Sequence, residues 1–313
     1  MPYSAAALTG AETTGFTNDK PMLVVQTASS PTDADWNTSG ELDGSGDSQT
    51  AIAFPSVRAY DSIGSLPTKI RSDSAPISAA SPKYFNFEFF TAISFDTLLI
   101  VGHNLNSQSF TSVALELADN DAFSSNVIEI GKYTISGTTD NRILITNLNS
   151  AGGSSTYSPS GTAQRYSSVQ RARLKIIHSG SKTPAIGEIF LGTRHQLQRN
   201  PDVAWNNKDE LSEVSEFKAL SGLTRRYIQY RGQALRQFRA SIAASAEITV
   251  IETWWDAIEE GTKPFVYIET PSTNAQAMLM IMETPKLSFP LVGPSERVLA
   301  FNMIEQPPYL ARE

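Results

Sequence analysis

The stretch Phe95–Leu105 (FDTLLIVGHNL) decides the fold that we expect for this chain. Its apolar run Leu98–Val101 ends at a glycine and a polar His-Asn turn, which is typical of a strand buried on both faces. The stretch Pro184–Arg194 (PAIGEIFLGTR) has the same character, with its apolar residues framed by two glycines. Short strand candidates and polar loops fill the chain between the two stretches, and this alternation is typical of a β-sandwich.

Residues 51–196 are predicted to form this sandwich. In Tyr84–Ala92 the aromatic residues Phe85, Phe87 and Phe89 alternate with polar residues, which is the period of a half-buried strand. The other strand candidates are short, apolar or alternating, and flanked by turn residues: Ala51–Tyr60, Thr97–Val101, Ser112–Ala118, Val127–Tyr133, Arg142–Asn147, Val169–His178 and Gly187–Leu191. We therefore expect this part of the chain to be mainly β.

Residues 222–313 are predicted to form a second, smaller α+β domain with a barrel-like sheet. Two strand candidates, Arg226–Arg231 and Ala234–Ile242, flank Gly232-Gln233, and this predicts a hairpin. One amphipathic helix is expected over about 246–260, with Ser245 as its N-cap and Gly261 just after its C-terminus. Three further strands follow this helix: Pro264–Glu269, Ala277–Met282 and Arg297–Ile304.

Residues 1–50 and 197–221 lack such regular patterns. The first fifty residues are small and polar, so we expect an N-terminal arm with one strand at Met22–Gln26. Trp36 is the exception in this arm, and an aromatic side chain in a polar stretch usually packs on a folded body. Residues 197–221 contain Pro201 and no alternating run, which indicates a linker between the two domains.

The composition argues against several classes of function. The 313 residues carry a formal net charge of −7, and nucleic-acid binding is disfavoured because phosphates require a basic surface. The chain has no cysteine, which excludes disulfides, thiolate nucleophiles and cysteine-based metal sites. We see no signal peptide and no apolar run that approaches ~20 residues, so we expect a protein made in the cytoplasm without membrane insertion.

No motif in the sequence predicts catalysis. A nucleophile elbow, a phosphate-binding loop and a dinucleotide fingerprint are all missing. The acid pairs Asp119 with Asp121 and Glu259 with Glu260 lie on a loop and at a helix end, where solvated carboxylates are common. His103 could face a pocket, but its ring more simply satisfies backbone groups of the turn. We therefore expect no enzyme activity, no catalytic residue and no cofactor.

One loop raises the question of a metal ion. The segment Glu116–Phe123 (ELADNDAF) groups Asp119, Asn120 and Asp121, and such oxygen-rich clusters suit calcium. The loop lacks the EF-hand spacing and the closing glutamate. We expect a turn built from Asp and Asn side chains, so no metal site is predicted, and a structural ion near Asp119–Asp121 is the open alternative.

Trp36 and five arginines are the candidate residues for an oligomer or partner interface. The arginines surround the predicted hairpin: Arg225, Arg226, Arg231, Arg236 and Arg239. Two tyrosines beside them are too few for a stacking platform, so a specific nucleic-acid site is not expected. In a chain of net negative charge, ion pairs within the chain or across a subunit interface explain these arginines better.

The motifs together resemble tail-tip proteins of long-tailed phages. The pair VGHNL (Val101–Leu105) and GEIFLG (Gly187–Gly192) is similar to the discoidin-like sandwich domain of such proteins, and many carbohydrate-binding domains share this sandwich. From about Gly222 the chain is similar to the tail-tube-related barrel of distal tail proteins. A strand pair precedes a Trp-bearing helix, KPF (Lys263–Phe265) opens a strand, and the last strand ends in an acidic residue and prolines (Ile304–Pro308).

The resemblance implies a structural virion protein located at the tail tip and assembled in the host cytoplasm. Distal tail proteins form a ring at the end of the tail tube and connect the tube to the hub and the receptor-binding fibres. The ring is expected to be homo-oligomeric and sixfold, or threefold where it meets the hub, and the free protein to form it weakly at most. A host-surface carbohydrate-binding module of the tail tip, with weak glycan contact, is the alternative function.

Overall fold

Strands dominate the architecture, and one described helix packs against them. The computed structural model describes residues 3–8, 20–26, 33–37, 68–69, 82–105, 110–135, 142–146, 148–149, 163–177, 184–197, 199–200, 208–218, 224–242, 245–269, 277–291 and 297–305. The helix is α1, Ser245–Ala257. The strands are β1 (Ser4–Ala7), β2 (Met22–Gln26), β3 (Asp33–Asn37), β4 (Thr68–Lys69), β5 (Lys83–Phe95), β6 (Thr97–Val101), β7 (Ser112–Ala118), β8 (Ile128–Thr134), β9 (Arg142–Ile145), β10 (Gln164–Ile177), β11 (Ala185–Ile186), β12 (Glu188–Gln196), β13 (Lys208–Lys218), β14 (Thr224–Ile242), β15 (Phe265–Ile268), β16 (Ala277–Met282) and β17 (Arg297–Glu305).

The first large sheet, sheet I, is antiparallel and has six strands. Its order is β3-β5-β10-β7-β8, and β1 pairs with β10 beside this path. The alternation that the sequence predicts in β5 is confirmed, because Phe85, Phe87 and Phe89 are buried. A short two-stranded sheet joins β4 to β11.

The second large sheet, sheet II, has nine strands in the order β13-β14-β17-β16-β15-β2-β12-β6-β9. The two stretches on which the fold prediction depends are neighbours here, since Leu99 of β6 pairs with Phe190 of β12. The other edge of β12 pairs with β2, and β2 pairs in turn with β15. The sheet therefore runs without a break from strands of the predicted sandwich into strands of the predicted second domain.

Sheet I packs on the β12-β6-β9 end of sheet II to form the predicted β-sandwich. One buried apolar cluster contains side chains from both sheets, among them Phe87 and Leu115 of sheet I and Leu98, Ile145 and Leu191 of sheet II. Removing apolar surface from water contributes about 25 cal/mol per Å², so this cluster is the main source of stability for the sandwich. The prediction of a mainly β fold with a sandwich is confirmed.

Sheet II is curled, so that its edge strand β9 approaches β16 and β17. Arg142 of β9 donates from Nη1 to the carbonyl oxygen of Ala277 in β16 at 2.8 Å, and its Nη2 bonds to the carboxylate of Glu305 in β17. Four strands lie between β9 and β16 in the sheet order, which is about 24 Å across a flat sheet at ~4.8 Å per strand. An arginine side chain cannot span that distance, so the sheet rolls up and brings its ends together.

The concave face of the rolled sheet is apolar. Six adjacent strands, β16, β15, β2, β12, β6 and β9, contribute side chains to a buried apolar cluster on this face. Its members are Met22, Val24, Leu99, Val101, Leu144, Phe190, Val266, Ile268, Ala277 and Leu279. The roll has the barrel-like character expected for residues 222–313, but β2, β6, β9 and β12 contribute to it as well. The domain boundaries at 1–50, 51–196, 197–221 and 222–313 stay predictions.

One local prediction in the C-terminal half is wrong, and one predicted interval contains a strand that the sequence did not indicate. No hairpin turn occurs at Gly232-Gln233, because β14 runs as one strand from Thr224 to Ile242. The expected linker contains β13, which pairs with β14 from Lys218 opposite Thr224 to Lys208 opposite Arg236. The apolar residues of β13 recur every third position, and the ladder has register shifts on both sides of Glu213. A bulge of this kind breaks the alternation that would reveal a strand in the sequence.

Helix α1 packs on the convex face of sheet II. Ile251, Trp254 and Ile258 recur at helical spacing and join a buried cluster that also contains residues of β2, β14, β15, β16 and β17. The helix begins at the predicted N-cap position but ends three residues early, because Glu259 and Glu260 adopt positive φ before Gly261 (φ +88°). No helix among the described residues is long and apolar enough to cross a membrane.

Candidate binding surfaces

The structure distributes the six candidate interface residues over two sheets. Trp36 lies on β3, opposite Phe85 in sheet I. Arg225, Arg226 and Arg231 lie on the first half of β14. The side chains of these four residues are outside the part of the structure that is described, so their interface role stays a prediction.

Arg236 and Arg239 lie on opposite faces of β14, because three positions separate them along a strand. Arg236 shares its face with Phe238, which is buried beneath α1. Its Nη1 donates to the carbonyl oxygen of Leu235 at 3.0 Å. These two arginines therefore do not form one basic patch.

His103 is buried at the end of β6. Its Nδ1 accepts a hydrogen bond from the backbone N–H of Leu105 at 3.2 Å, so the structural interpretation of this histidine is confirmed. Burial lowers the pKa of His103 from 6.5 to about 4 because the charged ring loses hydration, while a backbone hydrogen bond to Arg142 opposes the shift. The ring is therefore neutral at neutral pH.

His103→Asn should change how stability depends on pH. Between pH 6.5 and 4 the unfolded wild type binds a proton at His103 and the folded chain does not, so acidification destabilises the wild type. The variant keeps an acceptor for the Leu105 N–H and loses the titration. The stability advantage of the wild type over the variant should shrink by about 3 kcal/mol from pH 7 to pH 4, at about 1.4 kcal/mol per pKa unit. Urea unfolding of both chains at the two pH values measures this, and a constant advantage would contradict it.

The acidic loop between β7 and β8 is a hydrogen-bonded turn. Oδ1 of Asn120 accepts from the backbone N–H groups of Ser124 at 3.0 Å and Ser125 at 3.2 Å, which confirms the predicted Asx-rich turn. Asp121 pairs with Arg171, and Asp119 accepts from the Asn126 amide. No three His, Cys, Asp or Glu side chains within the described ranges come together as a possible metal site.

Paired charges cover the outer face of sheet I. Glu116 binds Arg173 at 2.7 Å and Lys175 at 2.9 Å, and Lys175 also reaches Glu129 at 3.1 Å. The guanidinium carbon of Arg173 lies 4.1 Å from the ring centroid of Tyr84 and 4.2 Å from that of Phe123, within the range of cation–π attraction. We assign a structural role to these charged side chains, because they form ion pairs with one another.

One exposed aromatic side chain was missed by the sequence analysis. Phe90 is 84% exposed, the highest value for a large apolar side chain among the described residues. It lies on a bulge, because β5 and β10 pair at Glu88 with Arg171 and next at Ile93 with Val169. In the alternation of β5 it takes a position that should be polar, and this was the signal that could have revealed it. Bulges commonly re-aim a side chain, and exposed aromatic residues are typical of binding surfaces.

Comparison with known proteins gives similar folds but no family. No family model matches the chain, and no curated protein matches it. A Streptococcus pneumoniae fucose binding module is 12% identical, covers 54% of this chain and 95% of its own, and has a TM-score of 0.33. The CBM32-5 module of GH89 from Clostridium perfringens, in complex with GalNAc-β-1,3-galactose, is 9% identical over 50% of this chain and 94% of its own, with a TM-score of 0.31. The CBM32 of AlyQ, in complex with 4,5-unsaturated mannuronic acid, is 16% identical over 52% and 95%, with a TM-score of 0.30.

These similar structures are carbohydrate-binding modules, and many carbohydrate-binding domains share the discoidin-like sandwich that the sequence motifs predict. The identities and TM-scores are low, so the likeness carries no argument about what this chain binds.

Proposed function

We propose that this chain is a structural component of the tail tip of a long-tailed phage. It contributes to a ring at the distal end of the tail tube and connects the tube to the hub and the receptor-binding parts. The observation that carries this proposal is that the residues of the C-terminal resemblance pack around one helix and one rolled sheet. Trp254 of α1, Phe265 of the KPF strand and Tyr267 belong to the same buried cluster.

The described residues of these motifs have structural contacts, whereas residues 306–308 lie outside the described residues. The ring centroid of Trp254 lies 5.1 Å from that of Phe265, and the ring of Tyr267 lies 6.4 Å from that of Phe238. Glu305, the acidic residue at the end of the last strand, is buried and forms the ion pair with Arg142 that holds the rolled sheet together. The acidic residue of this last motif thus connects β17 to β9, the far edge strand of sheet II. This contact supports an architecture shared with distal tail proteins.

The continuous sheet II suits a connecting role. A protein that joins a tube to fibres must hold two attachment sites at a fixed separation. Strand β2 pairs with β12 on one side and with β15 on the other, so backbone hydrogen bonds connect the sandwich to the strands beneath α1. This arrangement supports a rigid connector.

A knockout of the gene in the phage that encodes this chain tests the proposal. We expect particles that lack complete tails, because the tube would have no distal ring on which to assemble. A plasmid copy of the full chain should restore the tails. Normal, infectious tails in the knockout would overturn the proposal.

Contact with a host glycan is the second candidate function, and the exposed Phe90 favours it. The C–H groups on one face of a sugar ring pack well against an aromatic ring. Elsewhere in the same sheet, the hydroxyl groups of Ser4 on β1 and Ser167 on β10 hydrogen-bond to each other at 2.8 Å.

Phe90→Ala should weaken such glycan binding at least tenfold, which corresponds to about 1.4 kcal/mol. Its stability should stay close to that of the wild type, because the side chain is already in water. A glycan array followed by calorimetry on the full chain measures the affinity. Leu291→Ala, at another strongly exposed apolar residue, is the matched control. Absence of glycan binding by the wild type, or equal binding by Phe90→Ala, would rule this candidate out.

A further inference from the structure

Strands β13 and β14 extend beyond the rest of sheet II as a two-stranded arm. Strand β17 pairs with β14 only from Leu235 to Ile242. Strand β13 continues along the first half of β14, with eight antiparallel pairs from Glu210 opposite Ala234 to Lys218 opposite Thr224. At ~3.3 Å per residue, residues 224–234 give the arm a length of about 35 Å.

Both long edges of this arm are open among the described residues. Strand β13 is the end strand of sheet II, and β14 has no partner other than β13 over 224–234. An isolated two-stranded hairpin is marginally stable in water. Open edges present backbone N–H and C=O groups that pair readily with another strand.

The two strands of the arm carry opposite charge. Strand β13 has four acidic and two basic residues in KDELSEVSEFK. Residues 224–234 (TRRYIQYRGQA) have three arginines and no acidic residue. One edge of the arm is therefore acidic and the other basic.

We propose that this arm joins copies of the chain head to tail. The acidic edge of β13 in one protomer pairs with the basic edge of residues 224–234 in the next protomer. Pairing of two β13 edges would place like charges opposite each other, which is destabilising. A head-to-tail contact of this kind closes into a ring when the rotation between protomers allows it. The inference depends on the proposed function for its biological setting and deepens it by naming the surface through which the ring forms.

Cysteine trapping on the full chain tests this arrangement, because the sequence has no cysteine of its own. Ser215→Cys labels the acidic strand, and Gln229→Cys labels the basic strand. After mixing and mild oxidation, we expect disulfide dimers between the two variants at least fivefold more often than dimers within either one. Glu252→Cys, at an exposed position of α1, is the control for random collision. Dimers of Ser215→Cys with itself in excess, or no dimers above the control, would overturn the proposal.

Charge reversal on both strands provides a second test that does not depend on the geometry of a disulfide. The variant carries Glu210→Lys, Glu213→Lys and Glu216→Lys together with Arg225→Glu, Arg226→Glu and Arg231→Glu. With the cysteines added, reversed chains should cross-link with reversed chains and at least fivefold less with chains of native charge. Equal cross-linking between the two kinds would show that the charges act only within one arm and would overturn the pairing of the acidic edge with the basic edge.

These results are independent of the test of the proposed function. If the chains cross-link as expected but the knockout forms normal tails, the interface between copies is supported and the tail-tip assignment is wrong. If the knockout forms defective tails but the chains show no specific cross-link, the tail-tip assignment is supported and the arm is not the contact that forms the ring.

Discussion

Trp254→Ala should lower the free energy of unfolding by about 3–5 kcal/mol, the usual cost of truncating a large buried aromatic side chain. Trp254 is fully buried, and its ring centroid lies 5.1 Å from that of Phe265 and 5.3 Å from that of Phe301. Its indole N–H has no hydrogen-bond partner among the described residues, so the loss comes from packing. Urea unfolding of the purified chains measures the change.

Trp255→Ala is the matched control, because the neighbouring indole is only half-buried at the edge of the same cluster. We expect a smaller loss of about 1–2 kcal/mol, in proportion to the smaller buried area. In the knockout complementation, Trp255→Ala should still restore tails, whereas Trp254→Ala should not. Equal losses for the two variants would contradict the view that α1 is anchored through Trp254.

Asp96→Asn should cost about 3–5 kcal/mol, because it leaves a buried arginine without its counter-charge. The side chains of Asp96 and Arg194 are both fully buried, and Asp96 Oδ1 accepts from Nε of Arg194 at 3.1 Å. Oδ2 of the same carboxylate accepts from Nε and Nη2 of Arg165 at 2.9 and 2.7 Å. Asp96 thus joins β10 of sheet I to β12 of sheet II.

Two comparisons separate this effect from the general loss of a charge. Glu259→Gln breaks an exposed pair with Lys263 and should cost at most about 1 kcal/mol. The double variant Asp96→Asn/Arg194→Met should be more stable than Asp96→Asn alone, since the unpaired charge is then gone. Thermal and urea unfolding of the three variants measure this, and a double variant less stable than Asp96→Asn would contradict the account.

The apolar strands of the sandwich were predictable because each carries its own signal. Leu98–Val101 is apolar throughout, Phe85, Phe87 and Phe89 alternate with polar residues, and β6 and β12 are neighbours in sheet II. The helix was predictable for the same reason, since Ile251, Trp254 and Ile258 recur at its period. In these elements, the residues that become buried follow one another closely in the sequence with the period of a strand or a helix.

The course of sheet II could not be predicted, because strand pairing is decided between distant segments. Nothing within Met22–Gln26 indicates that it lies between β12 and β15. Strand β13 escaped recognition because its bulge displaces the alternation. Gly232 suggested a turn, but the strand pairs formed by β14 on either side of it override that local preference.

The contact residues were also predictable only in part. The Asx-rich turn at Asn120 and the structural role of His103 follow from local chemistry. The buried pair of Asp96 and Arg194 joins the two fold-deciding stretches through tertiary structure. Phe90 was overlooked because an aromatic residue in an aromatic strand candidate is ordinarily assigned to the core.

The central claim is that this chain lies at the tail tip. Its most direct test is electron microscopy of particles of the phage whose genome encodes the chain, labelled with antibody fragments raised against the protein. We expect several fragments clustered around the distal end of each tail, where the tube meets the fibres. Label along the tube or on the head, or particles that bind no fragment, would contradict it.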